Sequence, residues 1–238
     1  MGVGVIIRHL SAVLHRRQHH ANIQLKTYGR LFAISRQALI NDDLDALGNL
    51  PRGFGASAAR PEADLTYAML IDNPEMPDGN DLFSVAHLNL ATGAGVPSVA
   101  TLNVGFAAMR KQKGPAGLST LNIAPQFLIV PAAFEGTARE LLTSTFNPAS
   151  GSFAANIFNG RLEIVVDAQL DASSATAWYL AANPTSTDTV CRGYLQGQRG
   201  VTVQERDGWN IDALELKARL DFGVAALDYR GLYKHAGT

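Results

Sequence analysis

Histidines that could bind a metal ion occur near the start of the chain. His15 and His19 stand four residues apart, a spacing at which a helix presents two imidazoles to one metal ion. No carboxylate or thiol lies beside them to complete a coordination sphere. Arg16 and Arg17 lie between the two histidines and could approach phosphate instead. We interpret the run as part of a solvated basic arm, and the sequence predicts no metal site.

Two further residues could act as a nucleophile or as a base. Cys191 is the single cysteine, and a neighbouring arginine, Arg192, could lower the pKa of its thiol. His87 follows Asp78 and Asp81, so it could serve as a base or a ligand. The sequence places no histidine beside Cys191. We therefore expect Cys191 to be a packed strand residue and His87 to be a loop histidine with an ordinary hydrogen bond.

A glycine-rich segment matches a nucleotide-binding pattern. Gly53–Ala58 fits G-x-G-x-x-A, a motif that requires a strand directly before it and a helix after it. The preceding residues, Gly48–Arg52, are typical of a helix junction, so close helix packing by small residues is the preferred interpretation. The patterns G-x-S-x-G and G-x-x-x-x-G-K-[ST] do not occur. The sequence predicts neither an enzyme nor a bound cofactor.

The composition limits the class of protein. The chain has 238 residues, which corresponds to one large domain or two small ones at roughly 100–200 residues per domain. Charged residues make up only 17%, against about 25% in an ordinary soluble domain. Either the proteome is rich in alanine, or partner subunits cover much of the surface. The single cysteine excludes a disulfide scaffold, and no apolar run approaches the roughly 18 residues of a membrane span.

Charge is distributed unevenly along the chain. Residues 1–41 contain six basic residues and no Asp or Glu, whereas the remaining residues contain 14 basic and 21 acidic residues, a net charge of −7. The first segment therefore has the character of a basic arm. The net charge of the whole chain, −1, does not indicate a dedicated nucleic-acid binder.

Helical patterns lie mainly in the first half of the chain. The sequence predicts a helix over Gln37–Leu47 and a longer one over Leu50–Ile71, which Pro61 should kink or split. Ser98 has the character of an N-cap for a further helix over Val99–Met109. These predicted helices are the elements that would hold candidate site residues of the first half of the chain in place.

Strand patterns dominate the last part of the chain. A buried strand is predicted over Phe127–Val130, after which Pro131 opens a helix. Alternation of apolar and polar residues begins at Arg161 and is clearest over Leu214–Phe222. Helices cluster in the first 145 residues and strands in the last 80. This order predicts an α+β fold rather than a doubly wound α/β fold.

Several segments, in order, resemble the major capsid proteins of tailed phages. The segment Tyr28–Leu44 is similar to the sequence that leads into the long spine helix of that family, and more specifically of the Mu-type major head subunit group, often fused to a Clp-type prohead protease. Segments that agree further along the chain are 63–70, 81–93, 108–114, 122–131, 158–163, 177–182 and 220–234. The match covers residues 25–234, nearly the whole chain.

The resemblance implies the Hong Kong 97 capsid fold. It implies a peripheral domain with the spine helix over residues 28–95 and 188–238, and an axial domain over 96–187. Residues 1–27 would be a truncated or atypical basic N-terminal arm. Family members also carry an extended β-hairpin loop before the Tyr-Gly segment, and here only Asn22–Lys26 corresponds to its last strand.

An uncharged loop over Asn147–Asn159 is the candidate for the axial loop that approaches the fivefold or sixfold axis. Its expected interface residues are Phe153, Asn156, Phe158 and Asn159. No catalytic, cofactor-binding or metal-binding residue is implied, and no peptidase activity is carried over from the fused protease.

The function implied by the resemblance is that of a structural subunit of a phage or prophage icosahedral head. Expected partners are copies of the chain in pentamers and hexamers, packaged double-stranded DNA bound without sequence specificity, and scaffold or decoration proteins, with no membrane. The expected location is the virion, or the bacterial cytoplasm during expression from a prophage. Two alternatives stay open, an encapsulin-like compartment protein and an enzyme of unrelated α+β fold with a pocket around His87 or Cys191.

Overall fold

The computed structural model describes residues 23–41, 50–115, 117–148, 154–196, 198–208 and 212–237, with backbone alone at 38, 39 and 50–59. The elements in chain order are β1 (Lys26–Ser35), α1 (Arg36–Ile40), α2 (Leu50–Ile71), α3 (Val99–Arg110), β2 (Pro125–Val130), a 3₁₀ turn (Ala132–Phe134), α4 (Glu135–Thr143), β3 (Glu163–Val166), α5 (Gln169–Ser173), β4 (Trp178–Ala182), β5 (Val190–Tyr194), β6 (Thr202–Asp207), β7 (Ala213–Ala226) and β8 (Leu232–His235). The run His15–His20, the end of the helix predicted to reach Leu47, and Phe153 lie outside the described residues.

The long helix α2 has the predicted bounds and contains 22 residues. It continues through Pro61, so the predicted split does not occur. A proline inside a helix removes one backbone hydrogen bond, and the other turns of a helix of this length keep theirs. The helix predicted to begin at Gln37 is present as α1, which begins one residue earlier.

The start of α3 is defined by a reciprocal cap. The Ser98 hydroxyl accepts a hydrogen bond from the Thr101 backbone N–H at 3.2 Å, and the Ser98 N–H donates to the Thr101 hydroxyl at 2.9 Å. This arrangement satisfies donors that a helix start leaves without partners. Arg110 lies in the last turn, where a cation suits the helix dipole. The predicted cap is confirmed.

Residue contacts divide the chain into two compact units. The described part of the first unit comprises residues 67–191 and 225–237, and the second unit comprises Ile23–Thr66 and Arg192–Val224. The borders fall inside α2, β5 and β7. The predicted axial domain, 96–187, lies within the first unit.

The first unit is built around a four-stranded mixed sheet of order β3-β2-β4-β8. Strands β2 and β3 are parallel, whereas β4 pairs antiparallel with both β2 and β8. Both faces are buried, as a nearly continuous apolar strand such as β2 requires. One face packs against α3 and α4, with Leu128, Val130 and Leu180 at its centre. On the other face Ile129 and Tyr179 pack beside the end of α2.

The second unit is built around β7, the longest strand described. β1 pairs antiparallel with one edge of β7, from Lys26 opposite Phe222 to Ser35 opposite Ala213, and β6 pairs along the other edge. The predicted alternation in β7 is confirmed, because Leu216, Ala218, Leu220 and Phe222 are buried whereas Lys217 is exposed. The predicted α+β class is confirmed as well.

Candidate assembly surfaces

His87 is a buried loop residue whose two ring nitrogens both have partners. Its Nε2 lies 2.7 Å from Oδ2 of Asp78, and its Nδ1 lies 3.2 Å from the Leu82 carbonyl oxygen. The ring stacks on Tyr229 with centroids 3.7 Å apart. The hydrogen bond to His87 holds the pKa of Asp78 below its ordinary value. The expectation of a hydrogen-bonded structural histidine is confirmed.

Cys191 is buried inside β5, as predicted. Burial, with a smaller contribution from Asp188, raises the pKa of its thiol to about 11. The lowering of this pKa that a neighbouring Arg192 could cause is therefore not found. A protonated thiol is a poor nucleophile and a poor metal ligand. Within the described ranges no group of three His, Cys, Asp or Glu residues could hold a metal ion.

The glycine-rich segment Gly53–Ala58 lies inside α2 rather than in a turn before a helix. Its glycines therefore cannot form the strand-to-helix loop that wraps a pyrophosphate, and the packing interpretation is favoured. An open cleft of about 890 Å³ occurs in the first unit, and neither His87 nor Cys191 lines it. In its wall Arg230 is already paired with Asp228 at 3.2 Å. The two residues that the sequence singles out for chemistry, His87 and Cys191, are thus not brought together in this cleft.

The base of the predicted axial loop is anchored by Asn156. Its side-chain amide donates to the Leu141 carbonyl and, at 3.0 Å, to the Ser144 carbonyl, near the C-terminal end of α4. Its side-chain oxygen accepts from the Phe158 N–H at 3.0 Å. These bonds satisfy carbonyls that the helix end would otherwise leave without partners. Phe158 is 1% exposed and packs on Phe106 with ring centroids 5.0 Å apart.

Two of the four predicted interface residues, Asn156 and Phe158, thus hold the loop from inside the protomer. Asn159 is exposed and donates to the carbonyls at the α4 terminus. Among the described residues of this region, the large apolar side chains that are exposed are Phe146 and Ile157, 51% and 52% exposed. These exposed side chains are the ones available for contact with a neighbouring subunit. The axial role of the loop stays a prediction.

Strand β1 forms a second apolar surface, in the second unit. Of its ten residues only Ile34 is buried, and Leu31 and Phe32 are 61% and 42% exposed. Among the described strands β1 pairs with β7 alone, so its other edge presents backbone donors and acceptors. An exposed strand edge of this length pairs readily with another chain.

The sequence reasoning missed most of this surface. Beyond the hairpin segment that ends at Lys26, the sequence patterns predict no strand over residues 27–35, where the rest of β1 lies. The alternation of Tyr28, Arg30 and Phe32 with smaller residues could have indicated it. The hairpin segment predicted over Asn22–Lys26 reaches the described strand only at its last residue.

No helix among the described residues is both long and apolar enough to cross a membrane. No curated protein sequence matches the chain at a significant level. A family model described as phage capsid protein matches residues 21–235.

Solved structures share the fold at low sequence identity. A Mycobacterium phage Patience structure matches with a TM-score of 0.63 and 10% identity, over 91% of this chain and 70% of that one. The capsid of Myoviridae phage XM1 matches with a TM-score of 0.55 and 12% identity, over 91% and 74%. The SrpI encapsulin of Synechococcus elongatus PCC 7942 matches with a TM-score of 0.54 and 14% identity, over 89% and 73%.

The chain therefore has an α+β fold of the Hong Kong 97 type, which it shares with these structures. The chain belongs to the phage capsid protein family. Its function is that of a major capsid subunit, a structural protein whose copies assemble into the phage head. Two exposed apolar regions and a thinly charged composition suit that function, because a shell subunit buries much of its surface against its neighbours.

Proposed function

We propose that this capsid subunit belongs to the Mu-type head group and assembles as pentamers and hexamers into an icosahedral shell around double-stranded DNA. The observation that carries the proposal is the open edge of β1, ten residues long with one buried side chain. Pairing with another copy would complete the hydrogen bonds of this edge and cover Leu31 and Phe32.

The two units would have different places in the shell. We assign the axial role to residues 96–187, which lie in the first unit and include the loop anchored by Asn156. In this assignment Phe146, Ile157 and Asn159 contact the neighbouring subunit, and Asn156 and Phe158 hold this part of the loop in place. Phe153, outside the described residues, stays a proposed interface residue. We assign the peripheral role to residues 28–95 and 188–238, which include most of the second unit, and the arm role to residues 1–27.

The remaining partners follow from the same function. DNA contact would be independent of sequence and would be made by the basic arm, residues 1–27. Scaffold or decoration proteins would bind the assembled shell. The subunit would be in the bacterial cytoplasm during expression from a prophage and in the virion afterwards. We propose no catalytic activity and no cofactor, because the thiol of Cys191 is buried and His87 is fully hydrogen-bonded.

The edge-strand proposal is tested with two matched charge substitutions. Leu31 and Gln204 lie in the same row of the sheet, each opposite Lys217. Leu31→Lys adds a charge on the open edge strand, whereas Gln204→Lys adds the same charge on β6. The particle mass of the purified chain and of both variants is measured by light scattering, with negative-stain images of the same samples.

We expect pentamers, hexamers or closed shells from the unaltered chain and from Gln204→Lys, and smaller species from Leu31→Lys. A chain that stays monomeric at every concentration contradicts assembly by this chain. Equal assembly of all three proteins contradicts the assignment of β1 as an interface. Circular dichroism of the variants distinguishes a loss of assembly from a loss of folding.

DNA packaging is tested by salt dependence. Binding of the chain to a duplex of arbitrary sequence should weaken steeply as salt rises, because each neutralised phosphate releases a counterion. Replacing Arg16 and Arg17 with Gln should reduce that slope by about two charge contacts. A slope that is unchanged by the replacement contradicts the role of the arm.

An encapsulin-like compartment is the second candidate function, because the SrpI encapsulin shares the fold. The two functions differ in what the shell encloses. Nuclease-protected DNA in particles purified from the native host favours the phage head, whereas particles that hold a protein cargo and no DNA favour the compartment.

A further inference from the structure

The turn Val85–Leu88, in the first unit, presents two aliphatic side chains to solvent. Val85 and Leu88 are 61% and 68% exposed. The Leu88 N–H donates to the Val85 carbonyl at 3.1 Å, which closes the turn and brings the two residues close together. They form an apolar pair outside the axial loop and outside β1.

The turn is held in a backbone conformation that leucine rarely adopts. Leu88 has φ +54°, in the left-handed region that strains a residue other than glycine. Such strain persists only where the surroundings over-determine it. Asn89, fully buried, supplies one such constraint, since its side-chain oxygen accepts from the Ser84 N–H at 3.0 Å and its amide donates to the Leu82 carbonyl at 2.8 Å.

Further hydrogen bonds fix the turn to its surroundings. The Gln112 side-chain amide, just after α3, donates to the His87 carbonyl at 2.8 Å. The Lys234 N–H, in β8, donates to the Asn89 carbonyl at 2.8 Å. His87 is held by Asp78, as described above. The apolar pair is therefore preorganised, and a partner that binds it pays little for ordering the loop.

The segment of the chain that contains the turn is uncharged. The stretch from Leu82 to Met109 contains no Asp, Glu, Lys or Arg. The charged side chains just before this stretch, Asp78 and Asp81, are acidic, and carboxylates do not attract nucleic acid, whose binding depends on Lys and Arg contacts with phosphate. Two exposed aliphatic side chains suit an apolar protein surface, and for a chain of the capsid family the neighbouring protein in a shell is another copy of itself.

We propose that the turn Val85–Leu88 is an apolar contact with a second copy of the chain, kept in place by Asn89, Gln112 and the His87–Asp78 pair. The inference rests on the function as a self-assembling capsid subunit and adds one defined contact to it. In the assembly the two side chains enter a neutral surface of the neighbouring copy.

The first test replaces the side chains without disturbing the turn. Val85→Thr keeps the shape, and Leu88→Asn introduces a residue that adopts positive φ with less strain. The double variant should therefore fold at least as stably as the unaltered chain. Its half-maximal association concentration, measured by light scattering, should be about tenfold higher or more, as expected when a buried anchor is removed. Leu118→Asn, at another exposed leucine (92%), is the control.

The possible outcomes distinguish this contact from the assembly function on which it rests. Weaker association of the double variant, with Leu118→Asn unchanged, supports the contact. Normal association of the double variant overturns the contact and leaves the assembly function intact. Equal losses in both variants also overturn it, because they show an effect of surface apolarity in general. An unaltered chain that never associates overturns the assembly function and the contact together.

A second measurement reports the contact directly. Val85→Cys adds one exposed thiol to a chain whose native thiol, in Cys191, is 2% exposed. A maleimide should label the new thiol rapidly in dissociated subunits and at least several-fold more slowly in assembled particles. Equal labelling rates in the two states overturn the proposal.

Discussion

The two units of this subunit bury their sheets in different ways. In the first unit both faces of the sheet are covered, and the two described apolar clusters lie entirely within it. In the second unit β7 is well buried, but β1 beside it exposes nine of its ten residues at least partly. The first sheet has its core within the protomer, whereas in the second no strand of the described part of the chain pairs with the outer edge of β1.

This difference separates two demands on a capsid subunit. A subunit must fold before it meets its neighbours, which requires a closed core somewhere in the protomer. It must also bind them, which requires apolar surface and open backbone groups that are not used in folding. We expect substitutions in the first sheet to act on stability and substitutions in β1 to act on association.

The largest expected effect comes from emptying the core of the first unit. Phe158→Ala should lower the free energy of unfolding by about 3–5 kcal/mol, because it removes a fully buried ring and leaves a cavity. Phe32→Ala removes the same ring from β1, where it is 42% exposed, and should cost no more than about 1 kcal/mol. Denaturant unfolding of the dissociated chains measures both, and equal costs would break the distinction between the units.

The next effect tests how tightly α3 packs on the first sheet. A Cβ added at Gly105 would lie 2.6 Å from Leu180 Cδ1 and 3.0 Å from the Tyr233 ring. Gly105→Ala should therefore destabilise the protein by about 1–3 kcal/mol through overpacking. Gly136→Ala is the control in another helix, where an added Cβ meets nothing within 4 Å, and should stabilise by about 0.5–1 kcal/mol. A thermal shift of the same sign in both variants would contradict this packing.

A smaller effect depends on pH and concerns the His87–Asp78 pair. The pKa of Asp78 in the folded protein lies below its ordinary value of 3.8, chiefly because its carboxylate is hydrogen-bonded to His87. Its contribution to stability is therefore fully present above pH 4 and is lost as the pH falls through the folded pKa. Asp78→Asn should lower the melting temperature near pH 7, and the difference should shrink in acid. A difference that is constant over this range would contradict the pair.

The smallest effects are expected at surface ion pairs in both units. Arg139 pairs with Glu135 at 2.8 Å in the first unit, and Arg206 pairs with Glu215 at 2.6 Å in the second. Both arginines are largely exposed, so replacing either with Gln should cost only about 0.3–0.5 kcal/mol. Chemical denaturation measures the change. A large loss at Arg206 alone would mean that charge, rather than packing, distinguishes the second unit.

Features that depend on nearby residues were predictable from the sequence. The cap at Ser98, the helix over Leu50–Ile71 and the alternation in β7 were all confirmed. Each rests on periodicity or on a contact within a few residues. Family membership was predictable for a related reason, since the order of many short segments is a property of the chain itself.

The candidate surfaces were less predictable. Lack of charge indicates the loop over 147–159 as a candidate interface. It does not predict which side chains of the loop are buried. Asn156 is buried because its amide donates to a carbonyl at the end of α4, and Phe158 is buried because its ring packs on Phe106. The turn at Leu88 was not identified as a contact, because positive φ at a leucine has no sequence signature.

The sequence by itself determined the class of this protein, its main helices, its central strands and the absence of a recognisable catalytic motif, because these depend on local patterns and on segment order. Only the tertiary structure decided which apolar residues form the core and which stay exposed for assembly. Leu31 and Leu128 are both aliphatic strand residues, yet one is 61% exposed and the other fully buried. The physical reason is that burial depends on which elements cover a strand, and that is decided by contacts between residues far apart in the chain.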